Sequence, residues 1–363
     1  MARLGDLFIH IRNGANIKQG LDNTGYPITR IETISNRVVN RTKMGYAGIT
    51  DVSKYSDYIL QDGDILMSHI NSEIHLGKTA LYEKVDDEII IHGMNLLSLR
   101  PNKDLIDSKY AFYYLSSQAF LRQIPNITKK SVNQASFTVS ALKELEFPVT
   151  TIEEQKKIAN DLDKLNNLIE LRTQQLSKLD ELVKSRFIEL FDGKGYPTLK
   201  WNDVFNTTTG KLDSNAMVEN GEYPFFTCAK EVFRIDKYAF DQEALLLAGN
   251  NAAGKYDVKY YKGKFNAYQR TYVLGLKEDW SYQLFRYQLE DKLVYLQQQS
   301  LGGLTKYLTL KILGELEFIV PPMEKQIEFT AFVEQTDKSK LAIQQSLEKL
   351  ETLKKSLMQQ YFG

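Results

Sequence analysis

Apolar residues recur with alternating spacings of four and three in two long segments of the chain. In the first segment they follow positions 158, 162, 165, 169, 172, 176, 179, 183, 186 and 190, where only Arg172 and Arg186 are not apolar. In the second segment they run from Phe329 to Tyr361, with polar breaks at Thr336, Lys340 and Lys354. Such a heptad pattern is typical of helices that bury one stripe against a partner helix. We therefore expect two long helices that pack against each other.

Each predicted helix has a recognisable start. Thr151-Ile-Glu-Glu154 has the spacing of a capping box, and Pro321-Pro322 precedes the second helix. Because one helix leaves the first half of the chain and the other ends the second half, two seams that bury each other must run antiparallel. Some ~38 residues at ~1.5 Å per residue give a rod of roughly 57 Å. That length is comparable to one and a half turns of B-DNA, at about 34 to 36 Å per turn.

The same plan is present twice. Leu142-Lys-Glu-Leu-Glu-Phe147 returns as Leu313-Gly-Glu-Leu-Glu-Phe318, an offset of 171 residues that continues without a gap into the helices and places Glu153 and Gln155 on Glu324 and Gln326. Upstream matches are weaker, so the two domains have diverged more than the helices. The predicted organisation is domain (1–150), helix (151–193), domain (194–320) and helix (321–363).

The regions before each helix contain short runs typical of strands, separated by turn residues. These runs are Gly63–Met67, Ile89–Ile91, Leu96–Leu99, Ala244–Ala248 and Tyr272–Leu276. One helical stretch falls in each region, near Ser108–Gln118 and Tyr282–Gln298. The predicted fold class is α+β, with two mixed α/β domains joined by two long antiparallel helices that form a coiled coil with a pseudo-two-fold internal repeat.

Composition limits the possible partners. The 46 basic and 46 acidic residues balance, so binding to a polyanion would depend on local patches rather than on net charge. The single cysteine, Cys228, excludes an internal disulfide framework. The N-terminal residues lack the apolar core of a signal peptide, and no run approaches the ~18 apolar residues that span a bilayer. We expect a cytoplasmic protein that does not associate with membranes.

Both domains contain side chains suited to DNA recognition. In the second domain, Lys255, Lys259, Lys262, Lys264 and Arg270 alternate with tyrosines and Phe265. Lysine and arginine contact phosphates, while asparagine and glutamine pair with adenine, and arginine with guanine, in the major groove. The candidate DNA-binding residues are Asn71, Lys78, Asn95, Lys129, Lys130, Asn133 and Gln134 in the first domain and Asn250, Asn251, Lys255, Tyr268, Gln269, Arg270 and Lys306 in the second.

Motifs that suggest catalysis are incomplete. Gly249-Asn-Asn-Ala-Ala-Gly-Lys255 has the spacing of a phosphate-binding loop, but Tyr256 stands where Ser or Thr would ligate magnesium, and residues 257–261 are expected to be extended. Glu154-Gln-Lys156 lies inside the capped helix, and Pro321-Pro322-Met323 marks a helix start rather than a methyltransferase motif. His10, His69, His75 and His92 have no metal-ligand spacing. We predict no catalytic residues, no metal and no cofactor of its own.

With this order of elements, the chain resembles the specificity subunit of type I restriction-modification systems along essentially its whole length. The resemblance rests on Gly63-Asp-Ile-Leu66, on Leu97-Ser-Leu-Arg-Pro-Asn102, and on the phrase Leu145–Gln155 with its second copy Leu316–Gln326. Thr150-Thr151 replaces the Pro-Pro of the second copy and leaves the helix cap intact. Recognition domains vary greatly in this family, so the candidate DNA-binding residues rest on residue chemistry and not on a motif.

The resemblance implies two target recognition domains, each reading half of a bipartite, asymmetric site in double-stranded DNA. It also implies assembly with two modification subunits, which use S-adenosylmethionine, and with ATP- and magnesium-dependent restriction subunits. Methylation and cleavage would belong to those partners.

Other functions fit parts of the pattern. The chain could serve a related restriction system with a different catalytic subunit, which co-purified partners would reveal. A structural coiled-coil adaptor or homodimerisation device would show no sequence-specific binding. An enzyme acting alone on nucleic acid would require the motifs that are missing.

Overall fold

The computed structural model describes residues 1–20, 24–130, 134–252 and 254–363. The chain forms two compact units, Met1–Arg172 with Ser346–Gly363, and Thr173–Gln345. Each unit contains a mixed α/β domain together with one half of each long helix. We call the part of the first unit that precedes the first long helix domain 1, and the part of the second unit between the long helices domain 2.

Domain 1 is built on a four-stranded antiparallel sheet. Its strands are β1 Ala2–Arg3, β2 Phe8–Asn13, β3 Ile65–Ser68, β4 Ile70–Asn71, β5 Thr79–Leu81, β6 Leu96–Pro101, β7 Lys129–Lys130, β8 Ala135–Ser136 and β9 Glu146–Phe147. Its α-helices are α1 Ser108–Leu115, α2 Gln118–Leu121, α3 Ile124–Ile127 and α4 Val139–Lys143, and 3-10 turns cover Leu4–Leu7, Ile31–Arg37, Arg41–Lys43, Ser53–Tyr58 and Glu73–His75. The main sheet has the order β2-β6-β3-β5, with smaller sheets β4-β8-β7 and β1-β9.

The long helix α5 runs from Ile152 to Phe191 and leads into domain 2. The strands of domain 2 are β10 Thr198–Lys200, β11 Phe205–Thr209, β12 Tyr223–Phe226, β13 Phe233–Ile235, β14 Phe240–Ala248, β15 Asn250–Ala252, β16 Val258–Ala267, β17 Thr271–Leu276, β18 Thr305–Tyr307 and β19 Glu317–Ile319. Its helices are α6 Trp201–Val204, α7 Tyr282–Asp291, α8 Leu293–Gln299 and α9 Leu310–Gly314, with a 3-10 turn at Ser214–Ala216. The second long helix, α10, runs from Met323 to Phe362.

The two domains share one sheet topology. The strand order β2-β6-β3-β5 of domain 1 corresponds to β11-β17-β14-β16 in domain 2, where β12 and β13 extend the sheet. The pairs β1-β9 and β10-β19 correspond as well, and Phe147 and Phe318 take part in them at the predicted offset of 171. The predicted α+β class with an internal repeat is therefore confirmed.

Most of the predicted elements are present, and one strand prediction was wrong. The runs at 63–67, 96–99, 244–248 and 272–276 coincide with or overlap β3, β6, β14 and β17, and the two helical stretches correspond to α1–α2 and α7–α8. The run Ile89–Ile91 is not a strand: Ile91 forms only isolated bridges, to Ile28 and Ile59. A short apolar run can be buried just as well against irregular segments, to which it forms only single bridges. Its hydrophobicity therefore did not determine whether it would pair as a strand.

The heptad stripe of each long helix is its least exposed face. In the first unit, Ile158 and Leu162 of α5 join the core of domain 1 together with Phe362 at the end of α10. In the second unit, Phe191 at the end of α5 is buried with Phe329 and Val333 near the start of α10. Within each unit, the start of one helix thus packs beside the end of the other, which is the antiparallel arrangement.

The polar positions of the stripe are accommodated by specific partners. Arg186 pairs with Glu189 at 2.7 Å and with Glu328 of the other helix. The Lys340 ammonium lies 2.5 Å from the Asp180 carboxylate. Ion pairs of this kind, partly exposed, contribute little stability but favour one helix pairing over others.

A buried glutamine joins the start of each long helix to its domain. The Gln155 side chain accepts a hydrogen bond from the Asp107 backbone N–H at 2.9 Å and donates to the carbonyls of Leu105 and Thr150. At the equivalent place Gln326 accepts from the Ser281 N–H at 2.9 Å and donates to the Pro321 carbonyl. The repeated glutamine is therefore a structural link between long helix and domain.

Candidate DNA-recognition surfaces

In domain 2, a two-stranded ladder collects candidate residues from distant parts of the sequence. Strands β15 and β18 pair antiparallel, with Asn250 opposite Tyr307 and Asn251 opposite Lys306. The strand β15 follows the central strand β14 after Gly249 alone, so the ladder projects from the end of the main sheet. Both asparagines and Lys306 are partly exposed. An amide pair and a cation thus lie together, although more than 50 residues separate them in sequence.

The turn between β16 and β17 lies beside this ladder. It holds Tyr268, Gln269 and Arg270, and the Arg270 carbonyl accepts hydrogen bonds from the Gly249 N–H at 2.8 Å and the Cys228 thiol at 3.4 Å. Gln269 and Arg270 are exposed and line a hollow of about 340 Å³ together with Tyr272 and Tyr307. The turn therefore has a fixed backbone and outward-facing side chains.

Gly249 is required for this close approach. A Cβ at this position would lie 2.4 Å from the carbonyl oxygen of Arg270. The described residues after Gly249 form β15 and then β16 rather than a helix, and Tyr256 is buried in the core. The arrangement differs from a phosphate-binding loop, in which a helix follows the glycines. Lys255, exposed in the connection between β15 and β16, stays a candidate for contacting phosphate.

The alternation of lysine and tyrosine along β16 does not form a free basic face. Lys259 pairs with Asp257 and also donates to the Ala229 carbonyl. Lys262 lies 3.1 Å from Glu243, and Lys264 lies over the Tyr238 ring. These lysines are engaged within domain 2, because the adjacent strand β14 and the connections next to the strands place acidic and aromatic groups beside them.

In domain 1, the small sheet β4-β8-β7 brings together four of the candidate residues. Asn71 pairs with Ala135, Lys129 and Lys130 form the edge strand β7, and Gln134 immediately precedes β8. The Lys130 ammonium lies 2.8 Å from Glu73, and the Lys78 ammonium 2.6 Å from Nδ1 of His75. The remaining candidate of this loop, Asn133, lies outside the described residues.

Asn95 lies apart from that small sheet, in the turn that leads into β6. Its φ of 79° is in the left-handed region, which asparagine tolerates better than most residues. It lines a hollow of about 390 Å³ with Gln19, Arg30 and Met94. The Arg30 guanidinium donates to the Gln19 side chain. Arg30 and Gln19 were not among the residues predicted from the sequence, because only the folded chain brings this irregular segment beside residue 95.

Two histidines of domain 1, His69 and His92, are buried, and His10 is partly buried. Burial lowers the pKa of His69 to about 4 and that of His92 to about 3, and burial together with nearby arginines lowers the pKa of His10 to about 4. Among the described residues, no group of three or more His, Cys, Asp or Glu side chains converges as a metal site would require. The helices of the described chain include none that is long and apolar enough to cross a membrane.

Comparison with solved structures supports the fold. The chain is similar to a type I restriction-modification S subunit from M. genitalium, with a TM-score of 0.65, 16% identity and coverage of 99% of this chain and 95% of that one. It also resembles a chain from a structure described as showing complex assembly and conformational transition of the type I R-M system, with a TM-score of 0.53, 14% identity and coverage of 99% and 96%.

Comparison by sequence identifies the family. A putative type I restriction enzyme MjaX specificity subunit from Methanocaldococcus jannaschii is 44% identical over 188 residues, which cover 52% of this chain and 44% of that protein. The EcoDI specificity subunit from Escherichia coli is 48% identical over 94 residues, covering 25% and 20%. The aligned parts thus span less than half of these relatives. The family model of the type I restriction modification DNA specificity domain matches residues 1–181 and 194–354, and the chain therefore belongs to that family.

Proposed function

We propose that this chain is the non-catalytic, sequence-reading subunit of a type I restriction-modification complex and that each domain reads one half of a bipartite, asymmetric DNA site. One observation carries the proposal: two domains of the same strand order each gather amide and basic side chains at the end of the main sheet, from distant sequence positions. Because the family serves DNA recognition, these surfaces are the best candidates for contact with DNA.

The side chains divide by chemistry into two roles. Lys78, Lys129, Lys130, Lys255 and Lys306 suit phosphate contacts, which position a protein on DNA without reading its sequence. Asn71, Asn95, Asn250, Asn251, Gln269 and Arg270 suit base edges in the major groove, and Tyr268 suits packing against sugar or base. Asn133 and Gln134 extend the domain 1 surface in the same way.

The long helices have two further roles in this proposal. They set the spacer between the two half-sites, and they dock the modification subunits. S-adenosylmethionine, ATP and magnesium are assigned to the modification and restriction subunits, so the chain itself supplies recognition. The functional boundaries are residues 1–150 and 194–320 for recognition and 151–193 and 321–363 for the helices.

Domain exchange tests this function. Residues 195–312 are replaced by the same region of a relative with a different target, and the chain is assembled with its modification subunits on a plasmid library of random sequence. Mapping of methylated adenines should show one half-site replaced and the other retained. A change in both halves, or in neither, would contradict modular reading.

The chain without partners provides the second arm of this experiment. Incubated with S-adenosylmethionine and the same library, it should leave the DNA unmethylated and uncut. Methylation by the isolated chain would contradict the assignment of catalysis to the partners. Purification with a catalytic subunit of another kind would instead favour a related restriction system.

A further inference from the structure

The strand registers of the two domains define equivalent positions independently of sequence similarity. Ser68 ends β3 and pairs with Leu96 at the start of β6, and Ala248 ends β14 and pairs with Thr271 at the start of β17. The positions just before Leu96 and Thr271 are therefore equivalent, which aligns Asn95 with Arg270.

Hydrogen bonds outside the ladders support this alignment. The N–H of Met94 donates to the Ala15 carbonyl at 3.1 Å, and the N–H of Gln269 donates to the Leu212 carbonyl at 2.9 Å. Ala15 and Leu212 in turn bridge in parallel to Gly93 and Tyr268. The turns 93–95 and 268–270 therefore occupy the same place in both domains and lead into the equivalent strands β6 and β17.

The small ladders extend the equivalence. The N–H of Phe137 donates to the His69 carbonyl, as the N–H of Leu308 does to the Gly249 carbonyl. From these anchors, Asn71, opposite Ala135, is equivalent to Asn251, opposite Lys306. Candidate residues of the two domains thus fall at two equivalent positions. One position has asparagine in both domains, Asn71 and Asn251, and the other has Asn95 in domain 1 and Arg270 in domain 2.

We propose that the turn position occupied by Asn95 and Arg270 determines one base in each half-site: an adenine read by Asn95 in domain 1 and a guanine read by Arg270 in domain 2. This inference rests on the proposed function. Asparagine pairs bidentately with N6 and N7 of adenine, and arginine with O6 and N7 of guanine. Two domains with one geometry and different side chains at this turn would read different bases, which makes the site asymmetric.

The surroundings of Arg270 favour base reading over a structural role. Within the described part of the chain its guanidinium forms no ion pair, whereas Lys130 pairs with Glu73 and Lys262 with Glu243. Its carbonyl is held by Gly249, so the side chain projects from a fixed point. Such preorganisation lowers the entropy lost when a side chain binds.

The surroundings of Asn95 show a comparable constraint. A positive φ at a residue other than glycine is uncommon, and it directs this side chain from a backbone geometry that few residues adopt. The conformation alone would be met by glycine at lower cost. A glycine variant therefore removes the amide without straining the turn.

The experiment maps methylated adenines on the random-sequence plasmid library, using the chain assembled with its modification subunits. Arg270→Ala should relax a guanine at one position of the domain 2 half-site, with a loss of preference of about 5- to 150-fold, and leave the other half unchanged. Asn95→Gly should relax one adenine of the domain 1 half-site. Arg270→Lys, which keeps the charge but loses the two-pronged contact, should reduce preference at the same position.

Matched controls lie elsewhere on the same sheets. Arg234→Ala removes an exposed arginine from β13, at the far edge of the sheet, and Asn102→Asp changes an asparagine at the other end of β6 while keeping its turn-capping oxygen. Both should preserve the motif. Hydrogen exchange confirms that every variant is folded.

Three results would overturn the proposal, and they are distinguishable. An unchanged motif in Arg270→Ala and Asn95→Gly would show that the turn does not read bases. A uniform loss of methylation at all sites, with the motif kept, would assign these residues to phosphate contact. If the wild-type complex methylates without any bipartite motif, the proposed function fails, and this inference fails with it.

Discussion

Gln155 and Gln326 occupy equivalent positions in the internal repeat and have the same structural role. Both are almost fully buried, with exposed fractions of 0% and 1%, and both satisfy backbone groups at the start of a domain helix and a long helix. A solvent-exposed role would leave such a residue free to vary between the two copies. Their repetition therefore marks a folding constraint, while the divergent positions, such as 95 and 270, are where the domains differ in chemistry.

Replacing these glutamines should destabilise the unit that contains them. Gln155→Leu leaves the Asp107 N–H and the Leu105 and Thr150 carbonyls without their partner. Each buried group left unsatisfied costs about 1–3 kcal/mol. Hydrogen exchange monitored by mass spectrometry should show faster exchange at the start of α1.

The equivalent variant provides the matched comparison. Gln326→Leu should accelerate hydrogen exchange at the start of α7 instead, since it leaves the Ser281 N–H without its hydrogen-bond acceptor. Substitution of the exposed residues Lys157 and Lys338 by glutamine should change the free energy of unfolding by no more than about 0.5 kcal/mol. Exchange in α1 and α7 that does not respond to the glutamine variants would argue against a linking role.

At the scale of elements, the local sequence pattern predicted the long helices well, but it predicted the grouping of the candidate DNA-binding residues only in part. Several elements depend on residues that are close together in the sequence, and they could therefore be predicted from it. They are the two heptad patterns, the cap at Thr151 and the strands β3, β6, β14 and β17. The ladder β15-β18 and the sheet β4-β8-β7 consist of strands of two or three residues, and the pairings β15-β18 and β4-β8 join distant parts of the sequence. Residue chemistry selected several of their members, but their grouping required the fold.

Domain 1 contains two buried histidines, His69 and His92, and one partly buried histidine, His10. His10 lies in β2, His69 follows β3, and His92 lies in the segment before β6, whereas residues 194–320 contain no histidine. Their pKa values of about 4, 4 and 3 lie below the 6.5 of a free histidine, so the unfolded chain binds more protons between those values. Domain 1 is therefore fully stabilised by these neutral histidines above pH 6.5 and loses that stability as the pH falls toward 4.

Acid should consequently unfold domain 1 before domain 2. Each buried histidine costs up to about 1.4 kcal/mol per pH unit below 6.5. At pH 5, hydrogen exchange corrected for intrinsic rates should rise in domain 1, while the fluorescence of Trp201 and Trp280, both in domain 2, stays native.

His69→Gln tests the cause and His75→Gln is its control. His75 is partly exposed beside Lys78, so its replacement should leave the acid sensitivity unchanged. His69→Gln should narrow the difference in stability of domain 1 between pH 7 and pH 5. Equal acid sensitivity of the two domains in the wild-type chain would contradict the explanation.

At the scale of the whole molecule, the repeat joins two domains of the same topology to two helices of equal length. Both α5 and α10 comprise 40 residues, and the offset of 171 places their heptads in corresponding positions. If the helices act only as a scaffold, their length has no bearing on the DNA sequence recognised. If they set the spacer, length and spacer must change together.

The most direct measurement deletes one heptad from each helix, residues 170–176 and 341–347. The paired deletion keeps both stripes in register and shortens each helix by about 10 Å at ~1.5 Å per residue. Along B-DNA this corresponds to about 3 base pairs at ~3.4 Å per pair. Deleting 170–176 alone serves as the control, because it misaligns the stripes and should reduce stability rather than yield a new spacer.

The readout is the map of methylated adenines produced by the variant assembled with its modification subunits on the random-sequence library. Both half-site sequences should persist, because the domains are unaltered, and the preferred spacer should contract by up to about 3 base pairs. The same spacer with both helices verifiably shortened, or loss of either half-site in a folded complex, would contradict this expectation.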